Sequence, residues 1–219
     1  MSGRDNLEKD YIILIPSHNE LKTLKIIYPK LKKENFDILI INDFSKDKTH
    51  EYLKKNKCLF LNNKKQNGYE KSLKIGFKYI IKNFNYKFII TFDADGEHDV
   101  KDLKKIISFH KKYKPDILIC NRSKLNRWSE YVFSFISNLL FNIKDPLSGL
   151  KVYKLKKLKP VIKDIKDDQF LIDIVFTFNK KNLKIINFLI NANKRIGKSR
   201  IGQNYLINLK ILSLLRVLF

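Results

Sequence analysis

The strongest constraint on the fold is the regular alternation of short apolar runs with longer helical patterns. Strands are predicted at residues 11–15, 37–41, 58–61, 88–92, 116–120, 150–153 and 183–190. The first five are nearly continuous apolar runs, which are typical of parallel strands buried on both faces. Helices are predicted at residues 20–33, 47–56, 68–82, 99–113, 128–143, 155–163, 169–181 and 205–219. This order predicts an α/β fold with a mostly parallel sheet and helices on both faces.

Length and composition indicate a single domain. The 219 residues contain no low-complexity linker and no internal repeat. No window offers the roughly 20 apolar residues that span a bilayer, and the charged N-terminus does not resemble a secretory signal. Cys58 and Cys120 both lie in apolar runs. We therefore expect reduced core cysteines in a cytoplasmic protein.

The net charge of +23 allows two interpretations. Of the 45 basic residues only six are Arg, and the abundance of Lys, Ile and Asn suggests a compositional bias that leaves much of the charge as a solvated surface. The alternative is an anionic partner, either a membrane lipid or a phosphate. From Ile174 to the C-terminus there are nine Lys and Arg residues and no acid. Nucleic-acid binding is disfavoured, because the acids that follow the predicted strands would repel phosphate.

Acidic residues follow three of the predicted strands, where ligands bind in open α/β sheets. Asp93 and Asp95 are the most informative, because they come directly after a buried strand. In an extended segment, side chains at i and i+2 point to the same side. Two such carboxylates repel unless a cation, a shared proton or water intervenes, and hard oxygen ligands suit Mg²⁺ or Mn²⁺. A solvated turn is the plainer alternative.

Seven segments along the chain resemble family 2 glycosyltransferases with a GT-A fold, and most closely the dolichol- or polyprenol-phosphate hexose transferases. These segments are IPSHNE, INDFSKDKT, KQNGYEKSLKIGF, FDADGEHD, NRS, DPLSGLKVY and KRIGKSRIG. They occur in the family's order over residues 11–202. The resemblance implies a Rossmann-like nucleotide-diphospho-sugar transferase fold. It also implies a metal-dependent, inverting transfer of a hexose from a nucleotide-diphospho-sugar to a polyprenyl phosphate.

The resemblance assigns donor and metal residues. The positions matched to the nucleotide-sugar site are Pro16, Glu20, Asp43, Gln66, Gly68, Asp93, Ala94 and Asp95. Asp93 and Asp95 correspond to the metal-binding pair, and Glu97 is expected as a further ligand of Mg²⁺ or Mn²⁺. The family's Asn-x-Gly-x-Gly pattern is incomplete here, because Glu70 replaces its second glycine.

The resemblance also assigns acceptor residues. The phosphate-binding positions are Arg122, Arg127, Arg195, Lys198, Ser199 and Arg200. Arg122 joins Asp93 and Asp95 as the expected catalytic residues, since a guanidinium matches phosphate in a bidentate way. Asp145, Ser148 and Gly149 resemble the turn before the strand that closes the site. Asp173 corresponds to an acid that positions the acceptor.

Other functions remain as alternatives. A sugar hydroxyl acceptor in surface glycan or lipopolysaccharide assembly would need a carboxylate base, for which Asp167 or Asp168 is available. A haloacid-dehalogenase-type phosphatase is disfavoured, because three predicted strands precede the Asp93 motif.

The same resemblance divides the chain by function. Residues 1–120 form the nucleotide-sugar-binding half, residues 121–204 the acceptor half, and residues 205–219 an amphipathic helix. We expect peripheral attachment to the inner face of the membrane through residues 205–219, the helix at 128–143 and the basic tail. Packing of these helices against the core is the alternative.

Overall fold

A computed structural model describes residues 9–167, 169–191 and 205–218. Its sheet contains seven strands: β1 (Tyr11–Ser17), β2 (Asp37–Asn42), β3 (Leu59–Asn62), β4 (Phe88–Thr91), β5 (Ile117–Arg122), β6 (Lys151–Lys154) and β7 (Ile185–Ile190). The helices are α1 (Leu21–Lys33), α2 (Thr49–Lys55), α3 (Tyr69–Asn83), α4 (Asp102–Tyr113), α5 (Trp128–Phe141), α6 (Leu155–Leu158), α7 (Phe170–Lys180) and α8 (Tyr205–Ser213). A 3-10 helix follows at Leu214–Val217.

The strand order is β3-β2-β1-β4-β6-β5-β7. β1 pairs in parallel with β2 and β4, β2 with β3, and β5 with β7. The exception is β6, which is antiparallel to both of its neighbours, β4 and β5. The predicted α/β class and mostly parallel sheet are confirmed. The insertion of β6 brings the turn at residues 145–149 to the carboxyl end of β4.

Alternate residues of each strand supply two cores, one on each face of the sheet. In β1, Ile13 and Ile15 pack with α1, α2 and α4, whereas Ile12 and Leu14 pack with α3 and the later helices. Both sets are buried, which explains the unbroken apolar run in the sequence. The two layers of helices leave the carboxyl ends of the parallel strands as the open edge.

The C-terminal segment packs against the protein on one side. α8 lies against α5, where the hydroxyl of Ser129 donates a 2.6 Å hydrogen bond to Asn208. Ile211, Leu214 and Leu218 are buried in the core. The predicted single helix at 205–219 instead ends at Ser213 and continues as the 3-10 helix, and its last residue lies outside the described residues.

Two expectations drawn from composition have structural counterparts. Cys58 and Cys120 are both buried and unbridged, in agreement with the core interpretation. Among the helices of the described residues, none combines the length and apolar character that crossing a membrane requires.

Candidate active site

Asp43 organises the loops at the carboxyl end of β2. It is buried, and its two carboxylate oxygens accept hydrogen bonds from the backbone N–H groups of Asn67 and Gly68, each at 2.8 Å. The side chain of Asn63 donates a third, at 2.7 Å. The backbone of Gly68 has φ of +87°, a conformation that favours glycine. Asp43 therefore holds the segment before α3 in a fixed shape.

This segment links the acid after β2 to the acid after β4. Tyr69, the first residue of α3, donates a 2.6 Å hydrogen bond from its hydroxyl to Asp93 Oδ1. Gly68 thus contacts Asp43, and the next residue, Tyr69, contacts Asp93. Asp43 and Asp93 lie at the same edge because β2, β1 and β4 are parallel neighbours, and the start of α3 connects the two acids.

The chain does not stay extended after Asp93. It turns at Ala94 and Asp95, and Gly96 has φ of +82°. Asp95 Oδ1 accepts a 2.9 Å hydrogen bond from the backbone N–H of Glu97, which closes the turn. The expectation that Asp93 and Asp95 share one side of an extended segment is therefore wrong. The turn brings residues 97 and 98 back towards Asp93.

Asp93, Glu97 and His98 form the cluster of potential metal ligands in the described part of the chain. Each offers one ligand atom, and these atoms lie within 4.8 Å of one another. Carboxylate oxygens suit hard divalent cations, and imidazole nitrogen suits first-row transition metals. The donor set fits a divalent cation, with Glu97 in the cluster as expected and Asp95 shaping the loop.

Asp93 is held from several sides. Burial works to raise the pKa of its carboxyl, but His98, the Tyr69 hydrogen bond and Arg122 lower it below its usual value. Gly149 lies directly against it, since a Cβ at that position would come within 2.0 Å of Asp93 Oδ2. The turn before β6 therefore closes the site, and only glycine leaves room for the carboxylate.

Arg122, at the end of β5, lies among three carboxylates. Its Nε and Nη2 bind Asp145 at 2.9 and 3.1 Å, and Nη2 lies 3.2 Å from Glu130. Nη1 lies 3.8 Å from Glu97, next to the ligand cluster. Burial works to lower the pKa of Arg122, but these carboxylates raise it above its usual value. The structure gives Arg122 acidic partners where the resemblance implies a phosphate.

A second arginine extends this network. Arg127 Nη1 lies 2.6 Å from Glu130 Oε1, and the backbone N–H of Asn126 donates to Glu130 Oε2 at 3.2 Å. The side-chain amide of Asn126 also donates to Glu97 at 3.2 Å. The start of α5 is thus tied to the ligand cluster. The other expected phosphate-binding residues, Arg195, Lys198, Ser199 and Arg200, lie outside the described residues.

Two further charged side chains lie behind the cluster, the partly buried Glu70 and the fully buried Lys151. Burial raises the pKa of Glu70 to about 7, even though its carboxylate accepts a 2.9 Å hydrogen bond from Leu171 N–H at the start of α7. Burial also lowers the pKa of Lys151 to about 8, and its ammonium donates to the carbonyl of Ser148. Both side chains brace the turns that carry the site.

The remaining predicted residues lie on several elements. Pro16 is buried within β1, Glu20 precedes α1, and Gln66 is exposed in the loop before α3. Asp173 lies in the first turn of α7. Buried Ala94 and the hydroxyl of Ser148, which donates to the Cys120 carbonyl at 2.6 Å, support the turns around Asp93.

Of the two candidate bases, the structure describes only Asp167. Asp167 is partly exposed and paired with Lys74 at 2.7 Å and Lys71 at 3.5 Å. The hydrogen bond from Lys74 lowers the pKa of Asp167, which makes it a weak proton acceptor. Asp168 lies outside the described residues.

A groove of about 340 Å³ adjoins Arg122 and Asp145. Its walls come from the end of β5, from α5 and from β7. Lys144 lies on one side, and Tyr131, Phe135 and Leu189 form an apolar rim. The groove therefore offers both charged and apolar surfaces next to the ligand cluster.

Sequence reasoning missed several residues that shape this site. Tyr69 and Glu130 lie in helices, where one polar side chain gives no local sign of what it contacts. His98 stood in the Asp93 motif but was given no role. His98 lies three residues after Asp95, and a turn over this distance can bring its side chain back to Asp93. This spacing is the sequence signal that could have identified it.

Comparison with known proteins identifies the family. Residues 12–130 match the family model of glycosyl transferase family 2. An uncharacterized protein of Methanocaldococcus jannaschii is 28% identical over 224 residues, covering 95% of this chain and 92% of that one. The UDP-N-acetylglucosamine–dolichyl-phosphate N-acetylglucosaminyltransferase of Methanococcus voltae is 25% identical over 193 residues, covering 74% of this chain and 76% of that one.

A solved structure shares the fold. Glucosyl-3-phosphoglycerate synthase from Mycobacterium tuberculosis, in complex with Mn²⁺, UDP-glucose and phosphoglyceric acid, superposes with a TM-score of 0.73 at 12% identity. The match covers 100% of this chain and 84% of that one. It confirms the GT-A fold. Because the family model spans more than half of the sequence, this chain belongs to glycosyl transferase family 2 and is a glycosyltransferase.

Proposed function

We propose that this glycosyltransferase moves a hexose from a nucleotide-diphospho-sugar to a polyprenyl phosphate of the dolichyl type at the cytoplasmic face of a membrane. The observation that carries the proposal is the continuity between the Asp93 cluster and a groove with an apolar rim, joined through Arg122. The name of the Methanococcus voltae relative, which includes dolichyl phosphate, supports the same acceptor class.

The donor side rests on the loops after β1, β2 and β4. The nucleoside is proposed to lie near Pro16, Glu20 and Asp43, and the sugar diphosphate near Asp93. The backbone held by Asp43 supplies a preformed surface at Gln66 and Gly68, which reduces the ordering cost of donor binding. The Mycobacterium tuberculosis neighbour was solved with a UDP-sugar, which supports a nucleotide-sugar donor without fixing its base.

The chemistry needs little from the chain beyond positioning. A divalent cation on Asp93 and Glu97, with Asp95 in the same loop, would neutralise charge that develops on the leaving diphosphate. A phosphate monoester has a second pKa of about 6, so a lipid phosphate is largely ionised at pH 7 and needs no general base. The chain's own residues then orient the acceptor oxygen towards the anomeric carbon. This agrees with the pairing of Asp167 to two lysines.

The acceptor side combines cations with apolar surface. Lys144 lines the groove, and Arg195, Lys198, Ser199 and Arg200 are proposed to cover the phosphate. Arg122 is proposed to act by fixing Asp145 and Glu130 around the groove. Phe135 and Leu189 extend the groove outward as apolar surface, which suits the first isoprene units of a lipid.

The proposed membrane face lies on α5 and α8. Phe135, Leu139 and Leu206 are each about 70% exposed or more, and Trp128 and Tyr205 lie on the same two helices. Large exposed apolar side chains grouped on two packed helices are typical of an interaction surface. Trp and Tyr beside Leu and Phe are typical of helices that lie in a lipid interface.

A stepwise assay tests the proposal. Thermal-shift measurements with UDP-, GDP- and dTDP-sugars, with and without Mn²⁺, identify the donor through metal-dependent stabilisation. The labelled donor is then incubated with polyprenyl phosphate in vesicles, and label extracted with the lipid is counted. We expect lipid-linked sugar from the wild type and from Asp102→Asn, a control on α4, but not from Asp93→Asn.

Two results would contradict the proposal at different levels. Failure of every nucleotide-sugar to stabilise the protein would remove the donor class. Donor binding without lipid product, together with transfer to a glycan hydroxyl, would support the sugar-hydroxyl alternative. In that case Asp168→Asn should lower turnover strongly, whereas transfer to a phosphate should be little affected.

A further inference from the structure

His98 is buried in an unusual way for a histidine. The residue is 3% exposed, and within the described part of the chain neither of its ring nitrogens forms a hydrogen bond of acceptable geometry. Buried polar side-chain atoms normally have a partner, and each exception calls for a physical reason. The ring packs edge-on against Phe92, with the two centroids 5.8 Å apart, and this packing holds it in place.

One of the two ring nitrogens, Nε2, faces the ligand cluster. His98 Nε2 lies 3.3 Å from Asp93 Oδ2, and it belongs to the group whose ligand atoms are all within 4.8 Å. The turn closed by Asp95 delivers Glu97 and His98 together to this place. The loop therefore presents two carboxylates and one imidazole to a common point.

The surrounding residues hold the two carboxylates rather than the imidazole. Tyr69 donates to the other oxygen of Asp93, and Asn126 donates to Glu97. Outer partners of this kind orient ligands in metal sites. Gly149 keeps the space next to Asp93 clear of a side chain. The arrangement is that of a prepared site in which His98 is a third donor.

We propose that His98 is a nitrogen ligand of the metal and that it makes the site prefer Mn²⁺ to Mg²⁺. The proposal rests on the metal-dependent transfer proposed above and adds the identity of the metal. Mg²⁺ favours oxygen ligands and retains its waters, whereas imidazole favours first-row transition metals. A site with one imidazole and two carboxylates therefore selects against Mg²⁺ more strongly than an all-oxygen site does.

The competing role for His98 is that of a positioning residue. In that case its ring would donate a hydrogen bond to Asp93 and would not contact the metal. Both roles predict weaker metal binding when His98 is replaced. They differ in two measurable properties, the nuclear coupling of the bound metal and the balance between the two cations.

Pulsed electron paramagnetic resonance on the full chain, prepared without a histidine tag and loaded with substoichiometric Mn²⁺, measures the first property. We expect modulation from a directly bound ¹⁴N nucleus in the wild type and in His50→Asn, a control on α2. His98→Gln should lose it. Bound Mn²⁺ without nitrogen coupling in the wild type would overturn the proposal, and this result needs no folded variant.

Calorimetric titration measures the second property. In His98→Gln, which offers an oxygen of similar reach, the dissociation constant for Mn²⁺ should rise about tenfold or more, while that for Mg²⁺ should change by less than about threefold. An equal loss for both cations would establish the positioning role and overturn the ligand role. Circular dichroism melting confirms that the variant is folded.

Failure of this inference can be separated from failure of the proposed function. If the wild type transfers sugar with Mn²⁺ and Mg²⁺ equally well and lacks nitrogen coupling, only the role of His98 is wrong. If no divalent cation binds and no nucleotide-sugar stabilises the protein, the metal-dependent transferase itself is wrong.

Discussion

The proposed donor and acceptor sides of the site are stabilised by different interactions. On the donor side, Asp43 receives hydrogen bonds from the backbone of the loop before α3. On the acceptor side, Arg122 and Arg127 pair with Asp145 and Glu130, and the outer surface of α5 is apolar and exposed. Backbone hydrogen bonds make the donor surface rigid in advance. On the proposed acceptor side, the two arginines are neutralised by carboxylates, and the exposed apolar surface of α5 is free for the proposed membrane contact.

The largest effect is expected from removing the centre of the acceptor network. Arg122→Ala removes the guanidinium that binds the buried carboxylate of Asp145, and it leaves Glu130 paired with Arg127 alone. Breaking a buried ion pair in this way costs about 3–5 kcal/mol, so urea denaturation should show a loss of that size. Arg216→Ala, at an exposed position, should cost little. A loss below about 1 kcal/mol would show that the acceptor side does not depend on this network.

Acid should destabilise the donor side through His110 on α4. Burial lowers the pKa of His110 from 6.5 to about 4, and its ring contacts the Tyr11 hydroxyl at 2.9 Å. The imidazole of His110 binds a proton more tightly in the unfolded chain than in the folded one. Its contribution to the free energy of unfolding is therefore fully present above pH 6.5 and is lost as the pH falls towards 4. The loss reaches about 3 kcal/mol. Urea denaturation at pH 7, 5.5 and 4.5 measures how the free energy of unfolding depends on pH. The control variant His50→Asn should lose stability with falling pH as the wild type does, whereas His110→Phe should lose much less.

A methyl group at Gly149 should impair catalysis more than folding. The Cβ of Gly149→Ala would meet Asp93 Oδ2 at 2.0 Å, so the carboxylate must move. A displacement of about 1 Å can lower turnover about 100-fold. Turnover and the melting temperature are measured together. Full turnover in a folded variant would mean that the position of Asp93 is not critical.

A single atom change on the donor side should have a moderate effect. Asp43→Asn keeps the size of the side chain but replaces one acceptor oxygen with a donor, which leaves a backbone N–H of the loop unpaired. We expect a loss of about 1–3 kcal/mol in stability and weaker donor binding. Asp164→Asn, at an exposed position, is the matched control. Unchanged donor affinity would argue that the loop is not preformed by Asp43.

The smallest effect on stability is expected on the apolar surface of α5. Phe135 and Leu139 are 69% and 71% exposed. Replacing both with Ser should change stability by less than about 0.5 kcal/mol, as is usual at exposed positions. Binding to anionic vesicles should fall about tenfold or more in a flotation assay. Tyr113→Ser on α4 provides the control. Undiminished binding would exclude this surface as the membrane contact.

Much of the fold could be predicted from the sequence because the signals are local. The apolar runs of β1, β2, β4 and β5 identified strands buried on both faces, and their order identified the α/β class. The position of β6 could not be predicted. Its four residues pair with β4 and β5 over long sequence separations, and nothing within Lys151–Lys154 specifies an antiparallel partner.

The candidate site was predictable in part. Acids at the strand ends indicated a common edge, but the backbone turn at Ala94 and Asp95 depends on the hydrogen bond to Glu97 and on the positive φ of Gly96. The partners of Arg122 depend on Glu130, whose place in an apolar helix gave no sign of a salt bridge. Tyr69 acts through a contact with a residue 24 positions away, so it needs the three-dimensional arrangement to be found.

The interleaving of β6 between β4 and β5 has a consequence for biosynthesis. One edge of β4 pairs with β1, but its other edge pairs with β6, which follows about 60 residues later in the chain. A nascent chain that has left the ribosome only as far as residue 120 therefore carries an unpaired, strongly apolar strand edge. Such edges recruit other chains. Translation must continue beyond residue 154, the end of β6, before this edge of β4 is covered and protected from aggregation.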